Sequence, residues 1–142
     1  MEIAIGCDHA GFELKESIRS KLLELGYKAI DHGTHSADSV DYPEFAHTVA
    51  SDVSSGKIDR GVLICGSGNG ISMAANKHSN VRAALCWAPE IAELARRHNN
   101  ANILALPARF ITQEQGIDIL EKFITTNFEG GRHERRVKKI NY

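Results

Sequence analysis

LICGSGNGIS, residues 63–72, runs from an apolar strand-like stretch into a turn with glycine at 66, 68 and 70, then into the helical pattern ISMAANK. A strand that ends in such a turn and re-enters a helix is the joint of an α/β unit. The same grammar recurs on either side. IAIGC, YKAIDHG, GVLICG, RAALCW and NILALPA read as five strands, and their near-continuous apolar character suits strands covered on both faces. Between them FELKESIRSKLLELG places Phe12, Leu14, Ile18, Leu22 and Leu25 on one face, with Gly26 set to end the helix. YPEFAHTVASDVSSG repeats Phe45, Val49 and Val53, and APEIAELARRHN opens on Pro89, a favoured first-turn residue. TQEQGIDILEKFI carries Thr112 and Gln115 at capping-box spacing. The alternation predicts one α/β domain over 1–142, a doubly wound five-stranded parallel sheet with helices on both faces. The tail RHERRVKKINY predicts a basic helix over about 132–141, outside the alternating core.

Composition narrows the function. With 142 residues, 42% hydrophobic and 25% charged, the chain has the make-up of an ordinary globular domain. A formal net charge of −1 argues against binding nucleic acid through bulk positive charge. The tail lacks the aromatic platform of a single-strand binder. No apolar run approaches a membrane span, and the first residues do not read as a signal peptide. Three widely spaced cysteines, Cys7, Cys65 and Cys86, suggest a reducing, cytoplasmic setting. No metal-ligand spacing such as CxxC or HExxH occurs, so neither a metal nor a cofactor is expected.

Ligands of open α/β sheets bind beyond the carboxyl ends of the strands, where the strand order reverses. Two stretches end strands in that way, GCDHAG after the first and CGSGNG after the third. Cys7, Asp8, His9, Cys65 and Ser67 are therefore candidates for one crevice. The glycine turn matches neither a P-loop, which needs Lys-Ser/Thr after its last glycine, nor a dinucleotide fingerprint. Nor is there an arginine six places after Cys65 to close a cysteine-phosphatase loop. What remains is a set of backbone N–H groups at a helix start, suited to a phosphate or an oxyanion. Cys65 beside it has the setting of an available thiolate.

The blander readings stand beside these. The turn can be only a turn, and Asp8 can be a helix cap. Cys7 and Cys86 can be small buried hydrophobes. His32, His35, His47 and His78 read as surface residues without partners. Arg132 and Arg136, at i,i+4 spacing, read either as an anion clamp or as a solvated basic face.

Six stretches in order, GCDHAGFELK, DHGT, DYP, CGSGNGISMAANK, RRHNNANILAL and FEGGRHERRV, resemble the sequence blocks of the type B ribose-5-phosphate isomerases. That family also includes the galactose-6-phosphate isomerase subunits. The resemblance spans nearly the whole chain. It implies a Rossmann-like three-layer α/β sandwich, no cofactor or metal, and a homodimer or tetramer. It also implies interconversion of ribose 5-phosphate and ribulose 5-phosphate through an enediolate.

By the same resemblance Cys65 matches the base that moves the proton. His98 matches the group that opens the sugar ring, with Asp8 assisting, and the turn Gly66, Ser67, Gly68, Asn69, Gly70 holds the enediolate oxygens. His9, Arg132 and Arg136 match phosphate contacts, Asn99 and Arg109 further ligand contacts, and Tyr42 borders the sugar. Some members use a glutamate on the following helix as base; residues 72–77 carry no carboxylate, which favours Cys65. Ser67 stands where threonine is usual, and Pro107 where glycine is common two places before the arginine.

Competing expectations are an isomerase of allose 6-phosphate or galactose 6-phosphate, a cysteine-dependent hydrolase, and a non-catalytic sugar-phosphate sensor. Trp87, after the fourth strand, reads as either a crevice wall or core. One topological expectation follows. His98 and Asn99 end a helix and precede a strand, so they lie near the strands' amino ends, opposite Cys65. The site is then shared between two subunits of a two-fold dimer.

Overall fold

The computed structural model describes residues 1–141. Its elements follow the predicted alternation: β1 (Glu2–Cys7), a 3-10 turn (His9–Gly11), α1 (Phe12–Glu24), β2 (Lys28–Asp31), α2 (Tyr42–Ser54), β3 (Arg60–Cys65), α3 (Asn69–Ala75), β4 (Ala83–Leu85), α4 (Pro89–Asn99), β5 (Ile103–Pro107), α5 (Gln113–Thr125) and α6 (Arg132–Lys138). All pairings are parallel, in the order β2-β1-β3-β5-β4. The strand order first reverses between β1 and β3, as expected of a doubly wound sheet.

Two apolar layers cover the sheet, and the pleat decides which residue joins which. Ile3, Ile5, Val62, Ile64, Leu104 and Leu106 pack with α1, α4 and α5. The alternate residues Ala4, Leu63, Cys65, Ile103 and Ala105 pack with α2 and α3. Cys65 thus faces the layer in which α2 begins. The predicted strands at 27–33 and 82–87 are shorter in the structure because β2 and β4 form the edges, with side chains only half-buried or exposed.

Local signals account for the helix ends. Gly26, at φ +88°, follows α1. Thr112 and Gln115 cap α5 reciprocally: the Gln115 N–H donates to Thr112 Oγ1 at 3.1 Å, and the Thr112 N–H to Gln115 Oε1 at 2.8 Å. The tail helix ends at Lys138, three residues before the predicted limit. Its His133 is buried.

One core member breaks the apolar pattern. The Lys15 side chain is 0% exposed, and its ammonium donates to both oxygens of Asp31 at 2.8 and 2.7 Å. Asp31 Oδ1 also accepts the Gly33 N–H at 2.9 Å. The loop after β2 is then bound back to β1: the Cys7 N–H donates to the Gly33 carbonyl, and the Thr34 N–H to the Cys7 carbonyl. Burial alone would raise the Asp31 carboxyl; the Lys15 ammonium and the Gly33 N–H outweigh it and hold it below the ordinary range. An ion pair with its lysine fully buried and its carboxylate partly so therefore fixes the loop that overhangs the carboxyl end of β1.

Candidate active site

Cys65 is the last residue of β3, 5% exposed and not in a disulfide. The chain after it is joined to the chain after β5, since the Ala108 N–H donates to the Cys65 carbonyl at 2.9 Å and the Arg109 N–H to the Gly66 carbonyl at 3.0 Å. Pro107 sits opposite Cys65, where β4 has already ended at Leu85, so its missing N–H deprives no neighbouring strand. Arg109 stands beside the turn that follows β3. A Cβ at Gly66 would lie 3.2 Å from its Nη1.

The turn then reverses through Gly68, at φ +76°, which a side chain would strain. Gly68, the residue before α3, has no side chain to cap the helix, so the N–H groups after Asn69 receive no side-chain acceptor. Ser67 is exposed and its Oγ accepts the Asn69 N–H at 3.3 Å, holding the hydroxyl at the lip of the turn. Tyr42, the first residue of α2, closes the other side. Its ring occupies the space beside Gly70, where a Cβ would lie 2.5 Å from the ring Cζ.

The β1 side supplies Asp8 and His9. The Asp8 N–H donates to the Ile64 carbonyl at 3.2 Å, which ties the two strand ends together. Asp8 Oδ1 accepts the N–H groups of Ala10 and Gly11 at 3.0 and 3.2 Å, so it does cap the 3-10 turn. His9 Nδ1 accepts the Val40 N–H at 3.2 Å, which leaves the ring proton on Nε2. In one chain, then, Asp8, His9, Tyr42, Cys65, Ser67 and Arg109 gather at the β1/β3 switch point.

The remaining expected residues lie at the other end of the sheet. Ile103 pairs with Gly61 and Pro107 with Cys65, so the end of α4 stands at the level where β3 begins. Four residues of strand, about 13 Å, separate the two levels. There the His98 ring stacks on His133, with centroids 4.3 Å apart and planes 13° apart. Asn99 borders a cavity of about 350 Å³ with Asn76, Arg82 and Ala101. Arg132 and Arg136 are exposed on α6, and neither has a carboxylate partner among the described residues. Buried Arg96 fastens this end, donating to the Ala101 carbonyl at 2.5 Å and the Thr126 carbonyl at 3.1 Å.

Cys7 and Cys86 are fully buried, and burial pushes both thiols up to about 12. Their reading as small hydrophobes holds. The reading of the histidines as partnerless needs correction: His35 Nδ1 lies 3.9 Å from Asp31 Oδ2, and the other three make closer contacts. His32 Nε2 meets Asp52 Oδ2 at 2.7 Å, and His47 Nδ1 meets His78 Nε2 at 2.8 Å. Each of these two closer pairs joins segments 20 or more residues apart, which no local pattern displays. Trp87 is 59% exposed and belongs to no core layer. Lys15, Glu129 and His133 were missed for a similar reason: a buried lysine reads as a surface residue, and the acid–histidine cluster forms only through tertiary packing.

A family model described as Ribose/Galactose Isomerase matches residues 3–140. Ribose-5-phosphate isomerase B of Escherichia coli K12 is 46% identical over 139 residues, covering 98% of this chain and 93% of the relative. The solved structure of the Clostridium thermocellum ribose-5-phosphate isomerase B superposes with a TM-score of 0.97 at 49% identity, covering 99% of this chain and 95% of that one. The Mycoplasma genitalium ribose-5-phosphate isomerase B, crystallised with bound ribulose 5-phosphate, superposes with a TM-score of 0.94 at 45% identity, covering 98% and 93%. A match of this extent in sequence and backbone places the chain in the ribose/galactose isomerase family.

Proposed function

We propose that the protein interconverts ribose 5-phosphate and ribulose 5-phosphate through an enediolate, with Cys65 as the base. The observation that carries this reading is the placement of Cys65 at the end of β3 between Tyr42 and Arg109, beside an uncapped helix start. The similarity to a relative crystallised with ribulose 5-phosphate supports the substrate.

The chemistry is as follows. The Cys65 thiolate takes the proton from C2 of the open-chain aldose. The C2–H electron pair becomes the C1–C2 double bond, and the carbonyl pair moves onto O1. The resulting oxyanion meets the N–H groups of the 66–70 turn, a set of donors fixed before the reaction begins. The thiol returns its proton to C1, the O2 hydroxyl proton passes to O1, and the ketose is formed. The sulfur exchanges only a proton and forms no bond to carbon.

Ring opening is assigned to His98 and phosphate binding to His9, Arg132 and Arg136. With His98 and Arg132 at the amino end of the sheet, a two-fold dimer that sets one subunit's α4 and α6 against the other's Cys65 completes two identical sites. Six-carbon sugar phosphates form a second substrate class, favoured by the galactose isomerases within the matching family.

The test is isomerisation of ribose 5-phosphate by wild type and Cys65→Ala, with chelator present, followed by allose 6-phosphate and galactose 6-phosphate. Wild-type turnover that the substitution abolishes supports the reading. An inactive wild type, or an equally active variant, rules it out.

A further inference from the structure

At the amino end of the sheet His98, Glu129 and His133 each bring one potential ligand atom within 4.8 Å of the others. His133 stands in the first turn of α6 with its side chain 7% exposed, and its Nε2 is buried without a hydrogen-bond partner. A polar atom sealed in that way is costly unless something comes to meet it. Glu129 Oε1 lies 3.8 Å from that nitrogen, beyond hydrogen-bond reach. The other carboxylate oxygen is already held, accepting from Arg97 Nε at 3.1 Å with Arg97 Nη2 at 3.0 Å. The Glu129 N–H in turn donates to the Arg97 carbonyl at 3.0 Å. The carboxylate is thus oriented by an outer partner and keeps one oxygen spare beside an unpartnered imidazole. The isomerisation proposed above uses neither Glu129 nor His133.

We infer that His98, Glu129 and His133 form a binding site for a divalent transition-metal ion of the Zn²⁺ type, with a fourth position open to water. Two imidazoles and a carboxylate are a donor set that suits zinc with an open position. Arg97 is the outer partner that such a ligand carboxylate ordinarily has.

Tetrahedral bonds of ordinary length set ligand atoms about 3.4 Å apart. The longest edge of the triangle must therefore close, and the two rings must turn out of their face-to-face stack so that their lone pairs converge. His98, half-buried at the last turn of α4, is the side chain that can swing.

An ion so held occupies His98, and zinc then acts as a reversible inhibitor. This consequence rests on the ring-opening role proposed for His98; the binding does not.

The experiment is calorimetric titration of chelator-stripped, tag-free protein with ZnCl₂, paired with the visible absorption of the Co²⁺ form. One ion per chain is expected, with an intense tetrahedral cobalt band. Glu129→Gln and His133→Gln should each weaken binding at least about tenfold. Glu129 is exposed, so its variant keeps the fold and serves where His133→Gln does not. His47→Ala, which opens the other histidine pair, should bind as wild type does. No binding at micromolar zinc, or wild-type affinity in both cluster variants, overturns the site. So does loss of binding in Cys65→Ser while Glu129→Gln is unaffected. In the isomerase assay, zinc should inhibit wild type reversibly, and Glu129→Gln should lose that sensitivity. Stoichiometric binding that both cluster variants weaken, but that leaves turnover unchanged, would refute the ring-opening role of His98 and leave the metal site standing.

Discussion

The ring of Tyr42 stands in the place that a side chain at residue 70 would need: a Cβ on Gly70 would lie 2.5 Å from Cζ and 2.7 Å from the hydroxyl oxygen. The first turn of α2 and the first turn of α3 are fitted together through the absence of one carbon. Gly70→Ala should push the ring aside, with a loss of about 1–3 kcal/mol in stability. It should also cost about tenfold or more in kcat/KM through the misplaced ring and turn. Combining it with Tyr42→Ala should restore most of the stability but not the activity. Denaturant unfolding and initial rates of the two single variants and the double variant separate the effects.

Cys65→Ala should lower kcat for ribose 5-phosphate by about 10²–10⁴-fold, the usual worth of a positioned base. Melting temperature should fall by only a few degrees, because the change removes a single sulfur atom from the core, about 1 kcal/mol. A coupled assay for ribulose 5-phosphate in chelator, beside a thermal melt, reads both quantities.

A site shared between subunits predicts complementation. Cys65→Ala and His98→Asn should each be inactive alone. Mixed, unfolded and refolded together, they should recover about a quarter of wild-type activity, since half of randomly paired dimers then carry one intact site of two. Activity that stays at the sum of the separate variants would place both residues in the same chain's site.

Lys15→Met strands the Asp31 carboxylate and should cost about 3 kcal/mol. The pair also gives stability a direction in pH. Because the folded carboxyl is held below its ordinary value near 3.8, its contribution is complete above that value and fades as pH falls through the lowered one. Lys15→Met/Asp31→Leu should therefore lose less stability between pH 5 and acid, about 2–4 on the scale, than wild type does. Urea midpoints across that range measure it.

Alkylation should distinguish the thiols. Cys7 and Cys86 are fully buried with thiols pushed up to about 12, so near-neutral iodoacetamide should spare them while the protein is folded. Mass spectrometry after limited labelling should find Cys65 modified first.

Much of the fold was legible because it is written locally. Continuous apolar strands, Gly26, Pro89 and the Thr112–Gln115 box each declare their role within a few residues. The gathering of Asp8, Cys65 and Ser67 at the carboxyl ends of β1 and β3 was legible for the same reason, through two strand ends and one rule about where sheets bind. Lys15 was not, because its position on α1 makes it look like a solvated residue until Asp31 comes across from β2. Nor were the His32–Asp52, His47–His78 and His98–His133 pairs, which depend on helix packing rather than spacing.

The register that sets Ile103 beside Gly61 and Pro107 beside Cys65 has a last consequence. On the roles proposed for Cys65 and His98, which lie at opposite ends of the sheet, a folded single chain would hold two half-sites and no whole one. Catalysis then becomes a property of concentration. Diluted below the dissociation constant of the proposed dimer, the protein would keep its fold and its Cys65 pocket yet fall silent, and a defective copy would silence one of the two sites of a sound copy it paired with.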